Sequence, residues 1–342
     1  MASLQYKCLN CHAGLEFNPP SQKWKCHYCF SEFAKEELDQ VHQAEDLDGE
    51  EMPELDVYHC SSCGAELIAD QTTSATFCLY CKNPSIIKSR FTGRFKPKYL
   101  IPFHLTREQA KELYRKWIGK RLFAPGEFKY KEEVDKVTGV YAPFWLFDCT
   151  TNGTVQGQGI RVNHWRQGEY RYTRTQYFRV VRRGIAEYKK VPVDASKKLD
   201  DTLMQLIEPY HYKDMTDFSM QYMSGFMAEK YDVESEEAKA AAKSRVEQFT
   251  RNRLKETIGG YTSYHDTSSE ISMVESEEHY ALLPVYLLRN KYKGKDLLFI
   301  VNGQTGKVAG EAPVSRWKQL AFAGLLFAAS WIAVVFGGAL FG

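Results

Sequence analysis

No catalytic signature is written into this sequence. It contains no G-x-S-x-G, no H-E-x-x-H and no protein-kinase motif set, so the common hydrolytic and phosphotransfer chemistries have no carrier. Gly303-Gln304-Thr305-Gly306-Lys307 falls short of a phosphate loop, because the glycine spacing is wrong and Val308 follows the lysine where a serine or threonine is needed. The alternation on either side predicts a tight turn between strands. His104, His164, His211, His265 and His279 are scattered without a ligand spacing. Nothing specifies a nucleophile, a base or an open metal site, and the chain is expected not to be an enzyme.

Charge of one sign is missing too. Forty-five basic and 43 acidic residues leave a net charge of +2, which points to no partner by itself. The opening residues MASLQYKCLNC have no apolar core of the length a secretory signal needs. The N-terminal part is therefore expected in a reducing cytosol, where clustered cysteines bind metal more often than they form disulfides. Charge of either sign is absent from Leu320 to Gly342, LAFAGLLFAASWIAVVFGGALFG. As a helix this run would measure about 34 Å against a hydrocarbon core of roughly 30 Å, and it is apolar all round. The expectation is a transmembrane helix over 317–342 that tail-anchors the protein in the cell membrane in a single pass. Arg316 and Lys318 just before it place the N-terminal bulk on the cytoplasmic side.

What is present begins with cysteine. Eight of the nine fall in two matched sets: Cys8, Cys11, Cys26 and Cys29, then Cys60, Cys63, Cys78 and Cys81. Each cysteine of the second set lies 52 positions after its counterpart, and Ala13/Ala65 and Tyr28/Tyr80 keep the same offset. That is an internal duplication. A C-x-x-C knuckle turns two thiolates toward one point, and two knuckles joined by a short hairpin close a tetrahedral four-sulfur shell around Zn²⁺. Such a shell has no open position for a substrate, so two structural zinc ions per chain are expected. Iron–sulfur ligation and redox C-x-x-C pairs use the same residues but do not call for the hairpin-length gap twice. Cys8 to His12 also fits the C-x-x-C-H haem-attachment pattern, yet the twin set has Gly64 where His12 stands. His12, His27 and His59 are expected to face solvent, and Cys149, alone in an apolar run, to be a free buried cysteine.

Between the sets, Ser31 to Asp56 carries eleven acidic residues against one lysine and reads as a solvated linker with a helical start over Ala34 to Val41. From Lys82 to Lys98 there are six basic residues and no acidic one. A helix is expected from Leu105, with Thr106 and Gln109 as a capping box and Ala110, Leu113, Trp117 and Ile118 as its apolar stripe. Two further helices are read over Asp200 to Ile207 and Glu234 to Ile258, the latter with Ala238, Ala241, Ala242, Val246, Phe249 and Leu254 near one face. Val140 to Lys190 and Ile271 to Gly310 read as strands, with a turn at Asn152-Gly153. Arg171, Arg179, Arg182 and Arg183 are interleaved there with Tyr172, Tyr177, Phe178 and Tyr188. The fold class expected is α+β: two small N-terminal zinc ribbons (1–34 and 57–98, the second with its basic extension, joined by the acidic linker 35–56), then a mostly antiparallel α+β domain over 99–316 and the terminal helix.

With the two cysteine sets, Tyr141-Ala142-Pro143-Phe144-Trp145-Leu146-Phe147-Asp148, Leu283-Pro284-Val285-Tyr286 and Phe299 to Lys307 in view, the chain resembles a known family. It is similar to bacterial tail-anchored zinc-ribbon membrane proteins of the transcription-factor-IIB ribbon type, sometimes labelled primosomal-helicase-like, although no nucleotide-binding loop is present to drive a helicase. The resemblance implies association with phage-shock-protein-A-like and SPFH-type membrane-stress proteins. Taken together, the expected function is a membrane-anchored zinc-ribbon adaptor that gathers partner proteins at the cytoplasmic membrane face in envelope stress. The alternative is a membrane-tethered nucleic-acid-binding ribbon protein, using Lys88, Arg90, Arg94, Lys96 and the arginine-aromatic strand.

Overall fold

The apolar runs YAPFWLFDC and YALLPVYLL set the architecture, because strands this continuously apolar must be covered on both faces. In the computed structural model they lie side by side. The structure describes residues 8–39, 56–60, 66–69, 86–90, 97–126, 137–293 and 295–341, with backbone only for 56–60, 66–69 and 86–90. Three very long strands dominate: β8 (Val137–Gln167), β9 (Tyr170–Asp194) and β12 (Ser263–Tyr292). β8 pairs antiparallel with both of the others, in the order β9-β8-β12.

The rest of the large sheet grows from this ribbon. β13 (Lys295–Asn302) returns beside β12, and β14 (Val308–Gly310) pairs with β13. β7 (Tyr99–Leu100) lies parallel to β12, and β10 (Thr216–Asp217) pairs with β7. On the other side β11 (Met227–Glu229) runs parallel to β8 and antiparallel to β5 (Glu66–Ala69). β4 (Asp56–Cys60) then joins β5 to β6 (Ile86–Arg90). Among the described residues the sheet has eleven strands, and all but these two pairings are antiparallel. A separate three-stranded sheet holds β1 (Leu15–Asn18), β2 (Lys23–Cys26) and β3 (Glu32–Phe33). The architecture is α+β with a mostly antiparallel sheet and few helices.

Two apolar layers cover the central strands. One face, with Tyr141, Phe147, Leu282, Tyr286 and Phe299, packs under α1 (Arg107–Gly119), α3 (Ser235–Glu256) and the small sheet. The other, with Val140, Phe144, Leu283, Val285 and Ile300, is covered by α2 (Asp201–Leu206) and the segment to Met215. α1 starts as its sequence prescribes: the Thr106 side chain accepts from Gln109 N, and Gln109 Oε1 accepts from Thr106 N at 2.8 Å. α2 begins at the Asp200 cap, and a helical turn occupies 35–39.

α3 buries Ala238, Ala242, Val246 and Thr250, whereas Ala241 and Phe249 of the expected face are exposed. The hydroxyl Thr250 is inside because Thr151 Oγ1, at 2.7 Å, and the Tyr188 hydroxyl, at 3.0 Å, partner it. The expected turn at Asn152-Gly153 is not one; both residues lie within β8. A Cβ on Gly153 would come within 3.0 Å of Thr250 and 3.1 Å of Leu254, so this glycine admits a helix against the strand rather than bending the chain. The hairpin turns instead at Gly168-Glu169, where Gly168 at φ 62° suits the first position of a type II′ turn. The string Gly303 to Lys307 forms the tight turn between β13 and β14, as its spacing predicts.

The terminal helix needs a correction. The chain runs into α4 (Arg316–Phe341), but among the described residues no helix is long and apolar enough to cross a membrane. The first turn of α4 carries Arg316, Lys318 and Gln319. The transmembrane helix, the tail anchor and the single-pass membrane location are therefore not upheld. α4 is tied instead to the end of α1: Lys318 Nζ donates to Ala124 O at 2.6 Å, and the Phe322 and Phe123 rings meet edge to face.

Candidate metal centre

The first cysteine set converges. The sulfurs of Cys8, Cys11, Cys26 and Cys29 all lie within 4.8 Å of one another, with Cys8–Cys29 at 3.3 Å and Cys11–Cys26 at 3.5 Å. A tetrahedral site with bonds near 2.3 Å places its sulfurs about 3.8 Å apart, so the set fits one metal ion. Cys8 and Cys26 are buried, while Cys11 and Cys29 are partly exposed.

Local hydrogen bonds explain why the chain closes here. The two knuckles are built alike. Cys8 N donates to Ala13 O (2.7 Å) and His12 N to Cys8 O (2.8 Å); Cys26 N donates to Ser31 O (2.9 Å) and Phe30 N to Cys26 O (3.0 Å). In both, the residue after the second cysteine takes a left-handed backbone, His12 at φ 61° and Phe30 at φ 60°. This accounts for the haem-like pattern: His12 is the turn residue, exposed, and its twin in the second set is a glycine, the residue that adopts such a φ most readily. His27 is engaged elsewhere, with Nε2 2.6 Å from Glu16 Oε2.

The electrostatics favour a cation among the four sulfurs. Ser31, through its side chain and its backbone, lowers the Cys29 thiol to about 6. Cys11 has a favourable backbone hydrogen bond at Ala13, but burial and the other three cysteines push it up to about 12. One thiolate forms easily and its neighbour resists a second negative charge, a conflict that a bound dication removes.

The ribbon is fixed to the platform. Trp24 is fully buried between Phe17 and Tyr222, with ring centroids 5.0 and 5.1 Å away, and its indole donates to Gln221 O at 2.9 Å. Gln22 Nε2 donates to Phe103 O at 2.8 Å, and Gln221 Nε2 to Asp39 Oδ1 at the same distance. The knuckle tips point the other way: Leu9, Tyr28 and Phe30 are 37%, 80% and 72% exposed. Cys149 is buried and free, its thiol raised by burial and by the neighbouring Asp148 charge.

Of the second set, Cys60 closes β4, while Cys63, Cys78 and Cys81 lie outside the described residues, as do the side chains of His59, Lys88 and Arg90 and all of Arg94 and Lys96. The strings Tyr141–Asp148, Leu283–Tyr286 and Phe299–Lys307 meet in the core. Pro284 pairs with Tyr141, and its carbonyl accepts from Gly303 N at 2.9 Å. Sequence reasoning passed over Asn302, a buried clamp. Its Nδ2 donates to Ile207 O (3.0 Å), and its Oδ1 accepts from Gln304 N and Thr305 N (both 2.9 Å). The only sign of it in the sequence is a polar residue closing an apolar strand.

The class these features define is an α+β protein carrying a four-cysteine knuckle site that can hold a metal ion. Within that class, the chain belongs to the family of the uncharacterized protein YdjG of Bacillus subtilis (strain 168), with which it is 34% identical over 340 residues, 98% of this chain and 99% of the relative. No family model matches, and no solved structure does.

Proposed function

We propose that this protein is a non-enzymatic adaptor stapled by two structural zinc ions, one held by Cys8, Cys11, Cys26 and Cys29 and the other by Cys60, Cys63, Cys78 and Cys81. A closed four-thiolate shell offers no coordination position to a substrate; it supplies rigidity, and here it holds a small recognition tip. The observation that carries the reading is the polarity of the first ribbon. Phe17 and Trp24 anchor it to the platform, while Leu9, Tyr28 and Phe30 stand exposed on the two knuckles beside the metal-binding sulfurs. Exposed aromatic anchors on a rigid mount are the residues that dominate protein–protein binding energy. By resemblance, the partners are phage-shock-protein-A-like or SPFH-type proteins. The test is calorimetric titration of the full chain with a purified partner of each type. Replacing Tyr28 and Phe30 by alanine is expected to weaken binding at least about thirtyfold with bound zinc unchanged. Wild-type affinity in that variant would remove the knuckles from the interface.

A further inference from the structure

The distal halves of β8 and β9 form an arm that the adaptor reading does not use. Where β12 begins, Ser263 pairs with Ile160; beyond it the arm is a two-stranded ribbon of seven pairs, from Arg161–Gln176 to Gln167–Tyr170, about 23 Å long. The arm carries Arg161, Arg166, Arg171 and Arg174, and Arg179, Arg182 and Arg183 follow on β9 beside it; from Gln156 to Arg183 these seven arginines face no lysine and one acidic residue, Glu169. None of the seven takes part in the ion pairs found among the described residues.

Two features go beyond net charge. Arg166 and Arg171 are directly opposite each other across the ribbon, both exposed, a like-charge pair that costs stability unless an anion sits between them. In the next rung the Trp165 and Tyr172 rings stack at 5.5 Å and 13° in the open. Arg174 projects from the face that Trp165 and Tyr172 share. A ribbon that needed charge only for solubility would mix both signs. Arginine alone, with interleaved aromatics, is the composition of a surface for phosphodiesters and base edges.

We propose that this arm binds duplex DNA, lying as a two-stranded ribbon in the major groove with its arginines on the flanking phosphates. The major groove, about 12 Å wide, admits such a ribbon, whereas the deep, narrow major groove of duplex RNA does not. The inference is independent of the knuckle surface and of the second cysteine set.

The experiment is fluorescence anisotropy of the full, metal-loaded chain with a fluorescein-labelled duplex of about two helical turns, titrated between about 50 and 200 mM salt. Binding is expected with a log–log salt slope of about −4 to −6, near 0.9 for each phosphate neutralised. Changing Arg166, Arg171 and Arg174 together to glutamine should flatten the slope by about 2 to 3 and weaken binding at least about tenfold. The same three positions changed to lysine should keep the slope. Metal content and thermal midpoint report that both variants are folded. No binding at the lowest salt, or a glutamine variant that binds like wild type, overturns the proposal. So does tighter binding, at equal charge, to single-stranded RNA, polyglutamate or phosphatidylglycerol vesicles, each of which would hand the arm to a different anion.

Discussion

Asp194 shows how a single side chain can set a pH dependence. It ends β9, where burial first, and then the Glu229 and Asp201 charges, raise its carboxyl to about 8. Its Oδ1 accepts from Ser196 N at 3.2 Å, but Oδ2 is buried with no partner. Glu229, fully buried, takes the Ser196 hydroxyl at 2.8 Å and lies 3.6 Å from Lys198 Nζ. With the folded value above the ordinary one, the folded protein holds the proton more tightly than the unfolded chain. Stability contributed by this group is therefore present at low pH and lost as pH rises toward about 8, by at most about 1.4 kcal/mol per pH unit. Asp194→Asn keeps the shape without the charge. Urea unfolding should give the variant close to wild-type stability near pH 4 and an advantage over the wild type that grows up to about pH 8; a variant with no advantage near pH 9 would contradict the assignment.

At the scale of elements, the turn between β13 and β14 is a clamp rather than a connector. Asn302 and Gln304 hold the segment after α2 against the sheet: Gln304 Oε1 accepts from His211 N at 2.8 Å, and Gln304 Nε2 donates to His211 O and to Asp214 Oδ2 at 3.0 and 2.8 Å. Lys307 Nζ reaches Glu208 O from the same turn. Gly303 and Gly306 are required by space and conformation, the first because a Cβ would come within 2.6 Å of Phe103, the second because it sits at φ 76°. Asn302→Ala would strand one buried carbonyl and two N–H groups. We expect it to cost about 2–4 kcal/mol in chemical denaturation. A loss below about 0.5 kcal/mol would show that the clamp is not needed.

At the scale of the whole molecule, metal and platform are coupled through Trp24. The ribbon strands are two to four residues long and share one apolar cluster with α1, α3 and the sheet. Without a metal the four-cysteine set has nothing to cross-link it, and the module is too small to hold its own shape. On the two-zinc reading proposed above, chelation is expected to release half of the zinc from the first set and to shift the Trp24 emission to longer wavelength as its contacts with Phe17 and Tyr222 open. Trp24→Phe should abolish that part of the shift, and Cys8→Ser should produce it without chelator. An unshifted spectrum after complete removal of zinc would mean that the ribbon folds without its staple.

What the sequence determined by itself was local and periodic. The 52-residue repeat of cysteines predicted which four sulfurs meet, because C-x-x-C spacing needs only a knuckle and a hairpin to close. The Thr106 capping box and the turn at Gly303 to Lys307 were legible for the same reason: each is satisfied within a few residues. Long-range packing decided the rest. Asn152-Gly153 reads as a turn until α3 lies across it, and Thr250 is buried because Thr151 and Tyr188 meet it from 99 and 62 residues away. Hydropathy favoured a membrane span at the C-terminus, and the described helix does not provide one. That Arg166 faces Arg171, and Trp165 faces Tyr172, follows from the two-residue turn at Gly168-Glu169, whose register runs unbroken over 19 rungs back to Cys149–Tyr188. Only tertiary structure sets where the third strand joins and leaves the arm free, because the pairing of Ser263 with Ile160 joins residues that the sequence keeps apart.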